Sequence, residues 1–194
     1  MEILNKIKIT LINGSARNNG SCNYLLETIQ KELNPQNYDV KKYCIGTINL
    51  HFCLGCKKCY TDGNCVINDD VRSIVEDIVT SDYVVIAAPS YWADVPGQLK
   101  TFFDRNTPFG DTNPVRNLVA SKQIKGYSIA IRAGVRENEN DLLLNAIEHY
   151  FGHLGITPVK RISITQTDTL EDLLTKHQDK IEEVKSITKE MKHE

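Results

Sequence analysis

Four of the six cysteines stand within thirteen residues, as Cys53-x2-Cys56-x2-Cys59-x5-Cys65. Two-residue gaps return successive sulfurs toward one point, so a single loop can wrap one metal centre. A [4Fe-4S] cluster takes four thiolates, and this spacing is similar to the ferredoxin run, whose fourth cysteine follows sooner and precedes proline. Other uses compete for the same residues. Zinc accepts four cysteines, although its structural sites more often draw on two separated pairs, and redox thiols or cysteines holding no metal also fit. Disulfides would need an oxidising compartment, for which the chain gives no sign. Lys57 and Lys58, between the ligand positions, either offset thiolate charge or are solvated surface lysines. His51 is a spare ligand or plain polar surface; His149 and His153, four apart on a helix, would need a third ligand that is not near them in sequence.

A second constellation spans residues 14–22, Gly-Ser-Ala-Arg-Asn-Asn-Gly-Ser-Cys. It leaves an apolar run and enters a helix start at Ser21-Cys22, so free backbone N–H groups and hydroxyls converge as a phosphate dianion requires. Ser15, Arg17, Asn19, Gly20, Ser21 and Cys22 are the candidate contacts. Arg17 adds a charge-assisted bond, while Gly14 and Gly20 permit close backbone approach. The bland reading is a polar loop with a serine cap. Cys22 also falls on the apolar stripe of the following helix, where packing alone would explain it. The G-x-G-x-x-G fingerprint of dinucleotide sites is absent.

These residues need elements to hold them. Apolar periodicity alternates between strand and helix types, as in a sheet wrapped by helices. Strands are expected at 7–12, 38–45, 83–88, 124–131 and 158–164. Between them lie a helix with Cys22, Leu25, Leu26, Ile29 and Leu33 on one face, and another that Asp69-Asp70 caps ahead of Val71, Ile74, Val75, Ile78 and Val79. Pro96 suits the first turn of a helix carrying Leu99, Phe102 and Phe103, and residues 141–154 form the next. A C-terminal helix is expected at about 170–191. The fold class is α/β, a flavodoxin-like three-layer sandwich with a five-stranded parallel sheet of order 2-1-3-4-5, forming one domain over residues 1–194 with a cysteine-rich insertion at 51–68. Its switch point lies between strands 1 and 3, where ligands meet the strands' carboxyl ends.

The loop after strand 3, Pro89, Ser90, Tyr91, Trp92, Ala93 and Asp94, faces the phosphate loop across that switch point. The ring of a bound mononucleotide would fall there. Prolines 89 and 96 stiffen its ends, N–H groups between them can donate to a flavin's acceptor edge, and Tyr91 and Trp92 offer apolar faces. Trp92, the only tryptophan, is alternatively an anchor for the core or a subunit contact.

Gly14-Ser15-Ala16-Arg17 with Ser21-Cys22, Cys53 through Cys59 with Cys65-Val66-Ile67-Asn68-Asp69-Asp70, and Ala88-Pro89-Ser90-Tyr91-Trp92 with residues 96–105 (Pro-Gly-Gln-Leu-Lys-Thr-Phe-Phe-Asp-Arg) together resemble the NADPH-dependent FMN reductase superfamily, and within it the iron-sulfur flavoproteins. The resemblance covers about residues 7–160. It implies FMN, with Ser15, Arg17, Ser21 and Cys22 around the phosphate and residues 89–94 along the ribityl chain and ring. It implies a [4Fe-4S] cluster on Cys53, Cys56, Cys59 and Cys65. It also implies a homodimer or homotetramer in which one chain's cysteine loop faces another chain's FMN. The third flavin loop of such proteins, after strand 4, is usually glycine-rich; here residues 132–138 hold the single Gly134.

Composition narrows the partners. With 23 basic and 25 acidic side chains the formal charge is -2, too balanced to attract nucleic acid or an anionic membrane. The chain shows no signal peptide and no membrane-length apolar run, and reads as cytoplasmic. The leading expectation is an FMN-dependent oxidoreductase, with flavin-centred chemistry and no catalytic side chain, that passes electrons between FMN and the cluster and onward to a donor or acceptor protein or small molecule. NAD(P)H is a candidate substrate. The alternatives are a cluster-free NAD(P)H-dependent FMN, quinone or azo reductase, and a non-enzymatic redox carrier or metal-binding sensor.

Overall fold

The computed structural model describes residues 6–192; residues 1–5 and 193–194 of the expected domain lie outside the described residues. Five parallel strands form one sheet in the order β2-β1-β3-β4-β5. They are β1 (Ile7–Asn13), β2 (Tyr38–Cys44), β3 (Tyr83–Pro89), β4 (Ile124–Ile131) and β5 (Ile156–Ile164). The helices are α1 (Ser21–Glu32), α2 (Cys59–Asp62), α3 (Val71–Thr80), α4 (Gly97–Arg105), α5 (Glu137–His153), α6 (Leu170–Lys176) and α7 (Gln178–Glu190). The expected strand order holds.

The sheet is covered on both faces, which is why its central strands are apolar throughout rather than alternating. In β3, Val84, Ile86 and Ala88 join the core under α3, α4 and α5. Tyr83, Val85 and Ala87 join the opposite core, under α1 and α7. In α1, Leu25, Leu26 and Ile29 are fully buried, each stabilising the fold by roughly 1.5–3 kcal/mol relative to exposure. The buried Thr10 hydroxyl, on β1, meets Ser81 Oγ at 2.8 Å.

Four expectations change in detail. Helix α5 begins at Glu137 rather than 141, because Glu139 pairs with Arg132 and Arg136 and gives its polar first turn an electrostatic hold. The C-terminal helix is two helices, broken at His177, whose φ of -130° leaves the helical region while its carbonyl accepts the Ile181 N–H at 3.0 Å. Of the Asp69-Asp70 pair only Asp69 bonds the start of α3, its Oδ1 accepting the Val71 N–H at 3.3 Å, because the Asp70 carboxylate takes the Asn49 N–H at 2.7 Å. Pro96 stands one place before the first turn of α4, and its carbonyl accepts the Lys100 N–H.

The carboxyl end of β1 is built for close approach. Gly14 N–H donates to Ala87 O at 2.8 Å, and a Cβ on Gly14 would lie 2.6 Å from Leu99 Cδ2 and 3.1 Å from Ala88 Cβ. A side chain there would push β1 off β3 at the point where the chain leaves the sheet.

Candidate functional site

Where β1 ends, Asn13 organises the loop. Its Oδ1 accepts the Ser15 N–H at 3.0 Å, its Nδ2 donates to Arg17 O at 3.2 Å, and Ser15 Oγ accepts the Arg17 N–H at 3.0 Å. The chain then reaches α1 through Gly20, which supplies no side-chain cap. The first N–H groups of α1 therefore point outward without a protein side chain to satisfy them, at the positive end of the helix dipole.

A cavity of about 130 Å³ opens at this point. It brings together Ser15, Arg17, Gly20, Ser21 and Cys22 with Pro89, Ser90 and Tyr91 from across the switch point. Asn19, Trp92, Ala93, Asp94 and Gly134 do not line it. Gly134 stands against its own neighbour: a Cβ there would meet Arg132 Nη2 at 2.6 Å. The third wall is Ile131 at the end of β4 with Arg132 and Ala133 of the expected loop after it, joined by Thr167 and Asp168 ahead of α6 and Leu170 at its start. Thr167, Asp168 and Leu170 carried only a positional signal, beyond the carboxyl end of β5. Ser21 Oγ donates to Thr169 O at 3.2 Å and ties this wall to the phosphate loop.

Cys22 serves both readings at once: it is buried in the core under α1 and it borders the cavity. Burial pushes its thiol up to about 12, so it stays neutral at ordinary pH and places no anion beside a phosphate.

The loop after β3 departs from expectation. Tyr91 and Asp94 exchange backbone hydrogen bonds at 3.0 and 3.1 Å across a tight turn whose two central residues, Trp92 and Ala93, have φ of 56° and 62°. Ser90 N–H donates to Ile131 O and Val95 N–H to Asp94 Oδ1. Four of the N–H groups expected to face a flavin are thus committed within the protein. Those of Trp92 and Ala93, at the turn's tip, carry no such bond among the described residues. Non-glycine residues in this region cost about 1–2 kcal/mol each, and strain of this kind gathers at functional sites. The Trp92 side chain is fully exposed, at 101%, so it anchors no core in this chain.

The cysteine loop lies on the other face. Cys53, Cys56, Cys59 and Cys65 line one small cavity together with Asp104, Arg105 and Pro108, and all four are free thiols. Gly55, Lys57 and Gly63 turn the chain with φ of 62°, 57° and 76°, and α2 is a single turn that starts at Cys59. Gly55 N–H points at Cys53 Sγ, 3.5 Å away. Burial and then the nearby Cys65 raise the Cys59 thiol, with smaller contributions from Cys53 and Cys56, so the four sulfurs sense one another. No group of three or more His, Cys, Asp or Glu side chains among the described residues is arranged to hold a single metal ion. A four-iron cluster spreads its thiolates wider than one ion does, and four free cysteines around one cavity fit such a donor set.

Arg105 holds this loop from beneath. Its side chain is buried, Nη1 donates to Asp69 Oδ2 and to His51 O at 3.0 Å, and Nη2 donates to Asp69 Oδ1 at 3.2 Å, Cys65 Sγ at 3.3 Å and Ile67 O at 3.4 Å. Burial alone would raise the Asp69 carboxyl, but the Arg105 bond and the His51 N–H outweigh it and leave it below its ordinary value. His51 is therefore turned to Asp69, its Nδ1 3.7 Å from the carboxylate, and not into the cysteine cavity. His153 Nε2 meets His149 Nε2 at 3.1 Å, while its Nδ1 meets Asp111 at 2.6 Å. These histidines line a separate and larger cavity of about 430 Å³ between α4 and α5, where Phe103 and Tyr150 stack at 3.9 Å. That cavity is bigger than the one at the switch point, but it lacks the convergent helix N-terminus and arginine.

Residues 7–169 match the family model of the NADPH-dependent FMN reductases. The chain belongs to that family. Among curated relatives of this FMN reductase-family chain is an iron-sulfur flavoprotein of Archaeoglobus fulgidus, 33% identical over 153 residues that span 79% of this chain and 66% of the relative. An iron-sulfur flavoprotein of Clostridioides difficile is 37% identical over 100 residues, 50% of this chain and 44% of the relative. The matched stretch thus spans about half to two thirds of these relatives. Among solved structures, an NAD(P)H:quinone oxidoreductase from Methanothermobacter marburgensis superposes with a TM-score of 0.74 at 13% identity, covering 98% of this chain and 99% of that one. That likeness concerns the fold. No helix among the described residues is long and apolar enough to cross a membrane.

Proposed function

We propose that the protein is an FMN-dependent oxidoreductase whose flavin exchanges electrons with a [4Fe-4S] cluster on Cys53, Cys56, Cys59 and Cys65. The observation that carries this reading is the pairing of two sites in one chain. A phosphate-sized cradle lies at the switch point, and four free cysteines line one cavity beside a buried arginine. The names of the relatives, iron-sulfur flavoproteins, agree with it.

When bound, FMN would take up or release one or two electrons and a cysteine-ligated cluster would take them one at a time. The chain's own residues bind and orient. The α1 N-terminus, Ser15 and Arg17 supply donors and positive charge for a phosphate. Tyr91 and Ser90 form the wall toward the ring, and the N–H groups of Trp92 and Ala93 are the loop's remaining free donors. No side-chain nucleophile or general base is required. NAD(P)H as electron donor follows from the family and is part of the proposal.

In one chain the two cavities share no lining residue. Exposed apolar side chains stand near both, Trp92 at 101%, Phe52 at 78% and Leu54 at 71%. The reading therefore extends to a homodimer or homotetramer in which a cysteine loop meets the flavin of a second copy, in a cytoplasmic setting where thiols stay reduced. Anaerobic purification with FMN, iron and acid-labile sulfide counts tests it: a full complement of FMN without iron would instead mean a cluster-free NAD(P)H-dependent quinone or azo reductase.

A further inference from the structure

The cysteine loop has one polar contact from the protein interior that reaches a ligand sulfur, and it comes from Arg105. The guanidinium is fully enclosed, and its forked donors are divided among four acceptors: the Asp69 carboxylate, the His51 and Ile67 carbonyls, and Cys65 Sγ at 3.3 Å. Asp69 fixes the plane of the fork, a bidentate match that lysine cannot reproduce. The plane then delivers one N–H to a single sulfur of the four. Among the described residues, no other side chain donates to any of the four cysteine sulfurs.

Hydrogen bonds to ligating sulfur, and positive charge beside it, are among the levers that set a cluster's reduction potential, because they stabilise the form carrying the extra electron. Resting on the cluster reading above, we propose that Arg105 is a positioning and potential-setting residue. It holds Cys65 in place through Asp69, and its N–H and positive charge at that sulfur would make a cluster ligated there easier to reduce. Arg105 reaches no flavin-cavity residue, so its effect falls on the cluster and not on FMN.

The test is a redox titration of anaerobically purified holoprotein, following the cluster by electron paramagnetic resonance and FMN by absorbance. Two variants are compared with wild type. Arg105→Lys keeps a charge but loses the fork. Arg105→Gln with Asp69→Asn replaces the ion pair with a neutral amide pair, so that no buried charge is left unpaired and folding is spared. Both should retain FMN and iron. The electron equilibrium between cluster and FMN should shift at least tenfold toward FMN, about 59 mV for one electron, while the FMN couple stays where it was. Iron-loaded variants with an unmoved cluster potential would overturn the inference and leave the cluster reading standing. Loss of iron from both variants with FMN retained would make Arg105 a mere structural clamp and overturn it too. A wild-type protein without iron would bring down both readings at once, which the wild-type iron count shows before any titration.

Discussion

At the scale of single residues, charge placement does the discriminating. Arg17 is the one guanidinium on the phosphate loop, and a hydrogen bond from a charged donor contributes about 1.5–3 kcal/mol. Arg17→Ala should therefore weaken FMN about 10- to 100-fold while leaving riboflavin, which lacks the phosphate, unaffected; flavin fluorescence titrations with both ligands check this. Asp69 makes the matching case beneath the cysteine loop. Its carboxyl is held below its ordinary value, so the stability it contributes is complete above the unfolded carboxylate range, near pH 4, and is lost as pH falls through the lower folded value. Urea unfolding at a series of acid pH values should show a shallower decline for Asp69→Asn than for wild type. Removing the partner outright by Asp69→Ala strands a buried guanidinium and should cost about 3–5 kcal/mol.

At the scale of elements, the parts with a strong period were legible and the parts decided by partners were not. β1 and β3 announced themselves as apolar runs, and the α1 stripe from Cys22 to Leu33 marked its buried face. The start of α5 left no such mark, since Glu137 to Asn140 carry no apolar rhythm and are held by Arg132 and Arg136. The break at His177 was hidden because Leu173 and Ile181, on either side of it, keep helical spacing. The third wall of the cradle was legible only in part: Arg132 and Ala133 lie in the loop expected after strand 4, whereas Thr167 and Asp168 are far from it in sequence and meet it only where β4 and β5 end. The turn at Trp92 and Ala93 was missed for the opposite reason: its residues are wrong for its geometry, and the Tyr91–Asp94 backbone pair with the Ser90 bond to Ile131 closes it all the same. Ala93→Gly should raise stability by up to about 1 kcal/mol and Ala93→Val lower it by at least that much, as thermal unfolding of the two variants would show. Thr169 closes a capping box on α6, beside the cradle. Thr169→Ala should cost about 1 kcal/mol and weaken FMN along with it.

At the scale of the whole molecule, the chain divides its labour between two regions of the sheet's carboxyl rim. The cradle draws on β1, β3, β4 and the approach to α6, whereas the cysteine loop belongs to the side covered by α3 and α4. If copies assemble with one region against the other, the lone, fully exposed Trp92 reports it. Its emission should shift to the blue as concentration rises through the association range measured by sedimentation; an oligomer that forms with no shift would place Trp92 outside the contact. The Arg105 contacts carry a last consequence, for how this chain could be altered. The guanidinium grips the backbone at His51 and again at Ile67, so the sixteen peptide links between them form a closed bight whose two ends are tied by one side chain. Inside the bight the Cys59 carbonyl accepts from Asn113 and the Asn64 side chain accepts from Arg72 and Asn117, so its middle is pinned as well as its ends. A different metal-binding sequence spliced between those two carbonyls would inherit ends already fixed by Arg105, but it would have to bring its own partners for Asn113, Asn117 and Arg72.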